Sequence, residues 1–266
     1  MELDETSENE VAACCGDFYN HPIVSKLLDG IFHPGGLALS KLMADQMGVN
    51  AESTVLDIAC GNGKTTTYLA KTLGCKVSGI DANQQMIDAA YEIASDLRVA
   101  DKTDFAVALA GNIPHPDDSF THALSECSLC TFVDKEQAVS EITRVLKPGG
   151  IFGLNDVTVQ NHQELDEELR SLLGRVACIA DALSSDDYID LFVKNGYRLL
   201  AASNHSALLE EMARKARGRA QFFRDVGGTE ESMNLMTEAI RIIKMIEGQI
   251  SSGNIGYEMF IFESEN

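Results

Sequence analysis

A carboxylate and two glycines lie close together where an apolar run ends and a helical pattern begins. In the stretch VLDIACGNGKTTTYLA, which starts at residue 55, Asp57 is followed by Gly61 and Gly63. A Walker phosphate loop needs a glycine where Ile58 stands, and the dinucleotide pattern G-x-G-x-x-G lacks its third glycine at Thr66. Because a carboxylate beside this turn repels a pyrophosphate and attracts a cation, the loop favours a positively charged ligand without phosphate.

S-adenosylmethionine carries no phosphate, and its α-amino group is positive at neutral pH. The loop therefore favours this cofactor over NAD and ATP. The chain has 266 residues and a formal net charge of -20, from 41 acidic and 21 basic residues. Nucleic acids and anionic membranes bind basic surfaces, so we expect a small-molecule substrate and neither of these partners. The sequence leaves the oligomeric state open.

Two features of the sequence bear on location. No apolar run is long enough to predict a transmembrane helix, and the acidic beginning MELDETSENE is not typical of a signal peptide. We therefore expect a cytoplasmic protein. In that compartment its seven cysteines are expected to be reduced thiols rather than a disulfide framework.

Strand and helix patterns alternate along most of the chain. Helical patterns at 64–72, 84–97 and 134–147 separate the first five strand patterns, and further helical patterns follow at 163–182 and 184–197. The seven strand patterns are 54–60, 76–82, 104–109, 122–128, 150–159, 197–206 and 255–265. Such alternation predicts an α/β fold, a doubly wound, Rossmann-like and mostly parallel seven-stranded sheet with an added helical cap.

The cap is predicted from about 50 residues of helical pattern between the last two strands, an unusually long connection. One face of this pattern is apolar: Leu235, Met236, Ala239, Ile242, Ile243 and Ile246. That face could pack on the sheet or close over the site as a lid, and both interpretations stay open. The domain prediction is an N-terminal helical segment covering the site (1–50), an S-adenosylmethionine-binding core (51–206), a helical cap insertion (207–252), and a final strand with an acidic tail (253–266).

Four motifs in register resemble the class I S-adenosylmethionine-dependent methyltransferases. They are the loop Val55–Gly63, the acid Asp81 that closes the second strand, GNIPHPDDSF after the third strand, and RVLKPGGIFGLND at the fifth. The resemblance covers roughly residues 51–158. The Asn-Pro-Pro-Tyr signature with which the family methylates amino nitrogens is missing after the fourth strand, where SECSLCTF stands instead.

The resemblance implies a role for each cofactor-binding residue. Asp57 would orient the loop and the amino-acid end of the cofactor, which approaches the backbone at Gly61 and Gly63. Asp81 would accept hydrogen bonds from the ribose hydroxyls. The adenine ring would contact the two residues that follow the third strand, Asn112 and Ile113.

The segment SECSLCTFVDKEQAVSEITRVLKPGG is also similar to the arsenite methyltransferases, and so is CIADALSSDDYIDLFVKNGY. This second resemblance implies catalytic, arsenic-binding thiols at Cys127 and Cys178, with Cys14 and Cys15 as further substrate ligands. Trivalent arsenic is soft and prefers thiolates, and it attacks a methyl group through its lone pair without needing a base. Arsenite is therefore the first expected acceptor. No resident metal is expected. Cys127 and Cys130 have the Cys-x-x-Cys spacing of a zinc site, but no second Cys-x-x-Cys or His pair completes a four-ligand set.

Two alternatives remain open. A methyltransferase for a small organic acceptor, such as a quinone-like or natural-product hydroxyl, would use His115, His122 or His205 as its base. A non-catalytic sensor for a metalloid or for the cofactor would keep the thiols without turnover. In either case Cys60 and Cys75 are expected to be structural.

Overall fold

One seven-stranded sheet forms the centre of the protein, whose computed structural model describes residues 22–28, 32–171, 174–175 and 177–265. The strand order is β3-β2-β1-β4-β5-β7-β6. Strands β1 to β5 pair in parallel, and β7 is antiparallel to both of its neighbours. The strands are β1 (Thr54–Ile58), β2 (Lys76–Asp81), β3 (Thr103–Val107), β4 (Phe120–Glu126), β5 (Leu146–Val159), β6 (Tyr197–Asn204) and β7 (Ile255–Ser264). The predicted doubly wound, mostly parallel sheet is confirmed.

Helices cover both faces of this sheet. Neighbouring strand residues point to opposite faces, so Val55 lies in one core and Leu56 in the other. This burial on both sides explains why the strands are apolar runs rather than alternating patterns. The first described helix, α1 (Pro22–Leu28), is short. The longer helices of the described residues are α2 (Gly36–Gln46), α3 (Lys64–Leu73), α4 (Gln84–Asp96), α5 (Lys135–Val145), α6 (Ser185–Val193), α7 (Ser206–Val226) and α8 (Glu230–Ser251).

Side-chain caps fix where several helices begin. The Asn83 side chain accepts hydrogen bonds from the backbone of Gln85 and Met86 at the start of α4. At the start of α6, Ser184 accepts one from the backbone of Asp187, as its spacing predicts. The same spacing explains why α6 begins within a serine-rich segment.

The segment 163–182 differs from the long helix that its pattern predicts. Its described residues form two short 3-10 turns, His162–Glu164 and Glu167–Arg170, helical backbone at 174–175, and a turn that reaches Cys178 in the left-handed region. A hydrogen bond of 2.8 Å joins the His162 ring to the Ala182 carbonyl. Burial of Leu165 and Leu169 in the core holds the segment against the sheet, and it overrides the helical propensity.

Helices α7 and α8 form a hairpin whose root and tip differ. At the root, Leu208 and Leu209 of α7 and Ile246 of α8 pack against the main core. Further out, α1 and the hairpin share a small separate core: Leu27, Ala220, Met236 and Ile240. The tip exposes Phe222 and Leu235, so Leu235 is wrongly predicted as part of the packed face. The packing interpretation therefore holds for the root, while the division of the chain into four domains stays a prediction.

The hairpin should open from its tip. Because residues 215–240 lack the core contacts of the root, their amides should exchange with deuterium faster than those of 206–213 and 242–251. Hydrogen exchange with mass spectrometry on the ligand-free protein measures this gradient. Equal protection along both helices would show that the hairpin opens as one unit.

Candidate active site

The glycine loop lies at the carboxyl ends of β1 and β4, where open parallel sheets bind ligands. Gly61 and Gly63 both have positive φ, 53° and 71°. A Cβ on Gly63 would come within 2.7 Å of the Ala90 Cβ, so this glycine is needed for packing of α3 against α4. A Cβ on Gly61 would meet no atom within 4 Å. Gly61 therefore faces open space in which a ligand can approach the backbone.

Asp81 ties the loop to the end of β2. Its two carboxylate oxygens accept hydrogen bonds of 2.9 Å from the backbone N–H groups of Gly61 and Asn83. Burial raises the pKa of this carboxyl above its ordinary value. Each oxygen accepts one of these bonds and keeps a further lone pair. The arrangement fits the predicted ribose contact.

Asp57 is buried behind the loop. Thr66 in the first turn of α3 donates a hydrogen bond of 2.5 Å to its carboxylate, so Asp57 orients the start of this helix. Burial, together with the nearby carboxylates of Glu126 and Asp81, raises the pKa of Asp57 to about 7. A cation bound beside these three acids would lower that pKa again. The site is therefore electrostatically prepared for a positively charged ligand.

The two predicted adenine contacts differ in orientation. The Asn112 side chain is exposed and able to reach a ligand. Ile113 is buried in the core, and its backbone N–H donates to Glu141 over 2.9 Å while its carbonyl accepts from Arg144. Ile113 therefore anchors the loop after β3, and the adenine contact of Asn112 stays a prediction.

Glu126, which the sequence analysis overlooked, ends β4 directly beside the glycine loop. Hydroxyl groups of Ser40 on α2 and Thr65 on α3 donate to its carboxylate, at 2.9 and 2.8 Å from Oε2. The Asn155 amide on β5 donates to Oε1 over 3.0 Å. The Glu126 side chain is only 6% exposed. Four elements thus converge on one buried carboxylate.

His33 completes this group, which we call the Glu126 cluster: Glu126, Ser40, Thr65, Asn155 and His33. The His33 Nε2 lies 3.7 Å from Glu126 Oε2, and its Nδ1 is buried with no hydrogen-bond partner among the described residues. Asn155 is fully buried, and its Oδ1 atom also has no hydrogen-bond partner among the described residues. Buried polar atoms are normally paired, so two unpaired ones around a single carboxylate indicate a ligand position.

The turn before α2 places His33. Gly35 has a φ of 79°, and a Cβ there would come within 2.7 Å of the Leu39 Cβ and 2.9 Å of the Leu208 Cδ1. Only glycine fits this left-handed turn, which is wedged between α2 and the hairpin root. His33-Pro-Gly-Gly is thus the sequence signal that could have located the histidine.

The structure brings Cys127 and Cys178 together although they lie far apart in the sequence. The Cys178 thiol donates to the Cys127 carbonyl over 3.2 Å, and it also contacts the thiols of Cys127 and Cys130. Cys127 and Cys178 both have positive φ, 54° and 62°, which is uncommon for residues other than glycine. Cys14 and Cys15 lie outside the described residues.

The surroundings of these thiols keep them protonated. The hydrogen bond with Cys178 and burial raise the pKa of Cys127 well above its ordinary value, and burial does the same for Cys130. All the cysteines in the described part of the chain are reduced. Within that part, no three His, Cys, Asp or Glu side chains are arranged to hold a metal ion.

The histidines that the sequence proposes as bases lie elsewhere. The ring of His122 is bonded to Thr121 and to the Met47 carbonyl, in the first half of β4 and away from its carboxyl end. His115 packs edge-on against Phe120 at the opposite end of β4 from Glu126. His205 bonds to Ser203 beside the hairpin root. His122 and His115 are therefore wrong as bases at the carboxyl edge, and His205 is held by a local contact.

Part of the chain is similar in sequence to known methyltransferases. Residues 56–154 match the family model described as a methyltransferase domain. The chain is 28% identical to methyltransferase GfsG of Streptomyces halstedii, over 64% of this chain and 62% of that protein. It is 25% identical to O-methyltransferase resE of Aspergillus sclerotiorum, over 61% of each. The matches thus span about three fifths of these relatives' length.

Solved structures share the fold of this chain. The solved structure of the [4+2]-cyclase SpnF is similar, with a TM-score of 0.79, 19% identity, and coverage of 97% of this chain and 96% of that one. Other matched structures contain S-adenosyl-L-methionine or S-adenosylhomocysteine. The chain thus has the Rossmann-like methyltransferase fold, and its residues 56–154 match a methyltransferase domain, as the first resemblance implies, which makes S-adenosylmethionine the expected cofactor. None of the described helices is long and apolar enough to cross a membrane.

Alanine at the two loop glycines should have separable effects. Gly63→Ala combines a left-handed backbone with the Ala90 overlap, so unfolding free energy should fall by about 2–5 kcal/mol. Gly61→Ala should lose only about 1–2 kcal/mol but should weaken cofactor binding by filling the open space. Urea unfolding and calorimetry measure both quantities. Equal destabilisation, with cofactor binding kept by Gly61→Ala, would contradict this division of roles.

Cofactor binding should depend on pH through Asp57. Its carboxyl has a pKa of about 7, and a cationic ligand favours the ionised form. Affinity should therefore rise about tenfold from pH 6 to pH 8, with proton release near pH 7. Titration calorimetry in two buffers of different ionisation enthalpy detects that proton. Asp57→Asn should abolish the release, whereas Asp156→Asn, another buried acid with a pKa of about 7, should keep it. Identical release in the wild type and Asp57→Asn would refute this assignment.

Proposed function

We propose that the protein transfers a methyl group from S-adenosylmethionine to a small organic acceptor bound beside the Glu126 cluster. The observation that carries the proposal is the group of three carboxylates, Asp57, Asp81 and Glu126, around an open glycine loop. This charge suits a sulfonium and an ammonium group, and it disfavours phosphate. The cofactor, when bound, supplies a methyl group activated by the positive sulfur.

The residues of the chain would bind and orient both ligands. Gly61 permits close approach, Asp81 offers lone pairs to the ribose, and Asp57 holds α3 in place and compensates positive charge. Such positioning is the main contribution that a protein makes to a direct displacement at carbon. The matched methyltransferase relatives, one of them an O-methyltransferase by name, support this reaction class.

An organic acceptor fits the site better than a soft ion does. The Glu126 cluster offers unpaired polar atoms that suit a hydroxyl or amine. In contrast, raised pKa values keep the Cys127 and Cys130 thiols protonated, so a thiophilic ion must first displace protons. The relatives matched in sequence also favour an organic acceptor.

A thiophilic acceptor, arsenite first, is the second candidate. What favours it is the contact of Cys178 with Cys127 and Cys130, and the left-handed backbone of Cys127 and Cys178. Strained backbone is often kept for a functional reason. In this proposal Cys130 joins the predicted pair as the third thiol, in the place that the sequence assigns to Cys14 or Cys15.

Formation of S-adenosylhomocysteine should distinguish these candidates. We expect turnover with members of a panel of phenols, alcohols and amines, and none with arsenite alone. Cys127→Ser and Cys178→Ser should keep that turnover, as should Cys75→Ser, a buried control thiol away from the site. Arsenite-dependent turnover that both serine variants lose and Cys75→Ser keeps would establish the second candidate instead. Cofactor binding without turnover on any acceptor would favour a sensor.

A further inference from the structure

We propose that His33 is the base that removes the proton from a hydroxyl acceptor, and that Glu126 positions its ring. This inference rests on the proposed methyl transfer and narrows its substrate class to hydroxyl compounds. It depends on the side chains at the carboxyl end of β4: a buried carboxylate, a histidine beside it, and unpaired polar atoms around both.

The geometry assigns each ring nitrogen a role. Nε2 faces the Glu126 carboxylate at 3.7 Å, so the carboxylate favours the tautomer with its proton on Nε2. Nδ1 then carries a lone pair, and this atom is buried without a partner in the described part of the chain. Catalytic hydrogen bonds are often long before the substrate binds, so the 3.7 Å separation is compatible with this pair.

Three neutral donors fix the position of the Glu126 carboxylate. Ser40, Thr65 and Asn155 occupy its two oxygens, and all of them are neutral donors. None of these three donors carries a positive charge that would compensate the charge of the Glu126 carboxylate. That charge is therefore available to stabilise the imidazolium that forms when His33 accepts a proton.

The unpaired Asn155 and Tyr257 atoms add to the same position. The Asn155 Oδ1 and the Tyr257 hydroxyl belong to fully buried side chains and have no partner among the described residues. The Asn155 amide donates a hydrogen bond to Glu126. Burial raises the pKa of Tyr257 well above its ordinary value, and the charge of Glu126 adds to this effect. A hydroxyl compound would supply both a donor and an acceptor for these groups.

The proton balance is complete without another reactant. As the acceptor oxygen attacks the methyl carbon, an O–C bond forms, and the C–S bond breaks with its electron pair left on sulfur. The acceptor O–H bond breaks, and its proton passes to His33 Nδ1. The proton leaves to solvent after the methyl ether is released. A thiolate or arsenite would need no such step.

The first test needs no acceptor. In ¹⁵N-labelled protein saturated with S-adenosylhomocysteine, the ring nitrogen shifts of His33 should show the Nε2-protonated tautomer, and Glu126→Gln should reduce its share. His33→Gln assigns the resonances by their loss. A wild-type His33 protonated on Nδ1, or a tautomer unaffected by Glu126→Gln, would overturn the proposed pair.

The second test compares 4-methylphenol with 4-methylthiophenol, which ionises far more easily and needs no base. His33→Gln should lower kcat for the phenol by about 10²–10⁴-fold, while transfer to the thiophenol and the Kd of the cofactor change little. His115→Gln, at the opposite end of β4 from Glu126, is the matched control and should keep both activities. Equal loss with both probes would mean a structural role, and full phenol activity would refute the base. Absence of wild-type turnover across these probes and the wider panel would count against the proposed function, while the tautomer measurement still decides the His33–Glu126 pair.

Discussion

The carboxylate of Glu126 is the point at which the site is assembled. A buried carboxylate without partners would cost several kcal/mol, so its surroundings must supply donors. Here the donors come from α2, α3 and β5, and Glu126 itself ends β4. Loss of one such charge-assisted hydrogen bond typically costs about 1.5–3 kcal/mol. One side chain therefore ties α2 and α3 to the paired strands β4 and β5.

The same carboxylate connects the two halves of the site. Thr65 connects it to the first turn of α3, next to the Gly63 turn. Asn155 connects it to strand β5. Asp57 bonds to the neighbouring Thr66 and is raised in pKa partly by Glu126. The glycine loop and the Glu126 cluster are thus connected through the first turn of α3, and the charge of Glu126 is felt at Asp57.

The sequence predicts those features that depend on local pattern. The strands and the glycine loop follow from apolar runs and from residues with special backbone demands, and Asp57 and Asp81 are recognised by their distance from that loop. Over the described part of 163–182 the chain forms 3-10 turns, with helical backbone only at 174–175, because contacts such as His162 to Ala182, rather than propensity, decide its path. His33 and Glu126 are 93 residues apart, and no periodicity relates residues whose contact depends on the sheet order. The sequence likewise assigns no substrate contact to Cys130, because its proximity to Cys178 arises only after folding.

The tight contact between Gly35 and Leu208 has a consequence for how such a protein can diverge. The turn that carries His33 rests against the root of the α7–α8 hairpin, whereas the sheet register is set by strands that the hairpin does not interrupt. Length and sequence at the hairpin tip can therefore vary without disturbing the sheet, whereas a change at its root acts on the turn that carries His33. An insertion between the last two strands is thus a place where new substrate selectivity can be acquired while the cofactor-binding half is inherited unchanged.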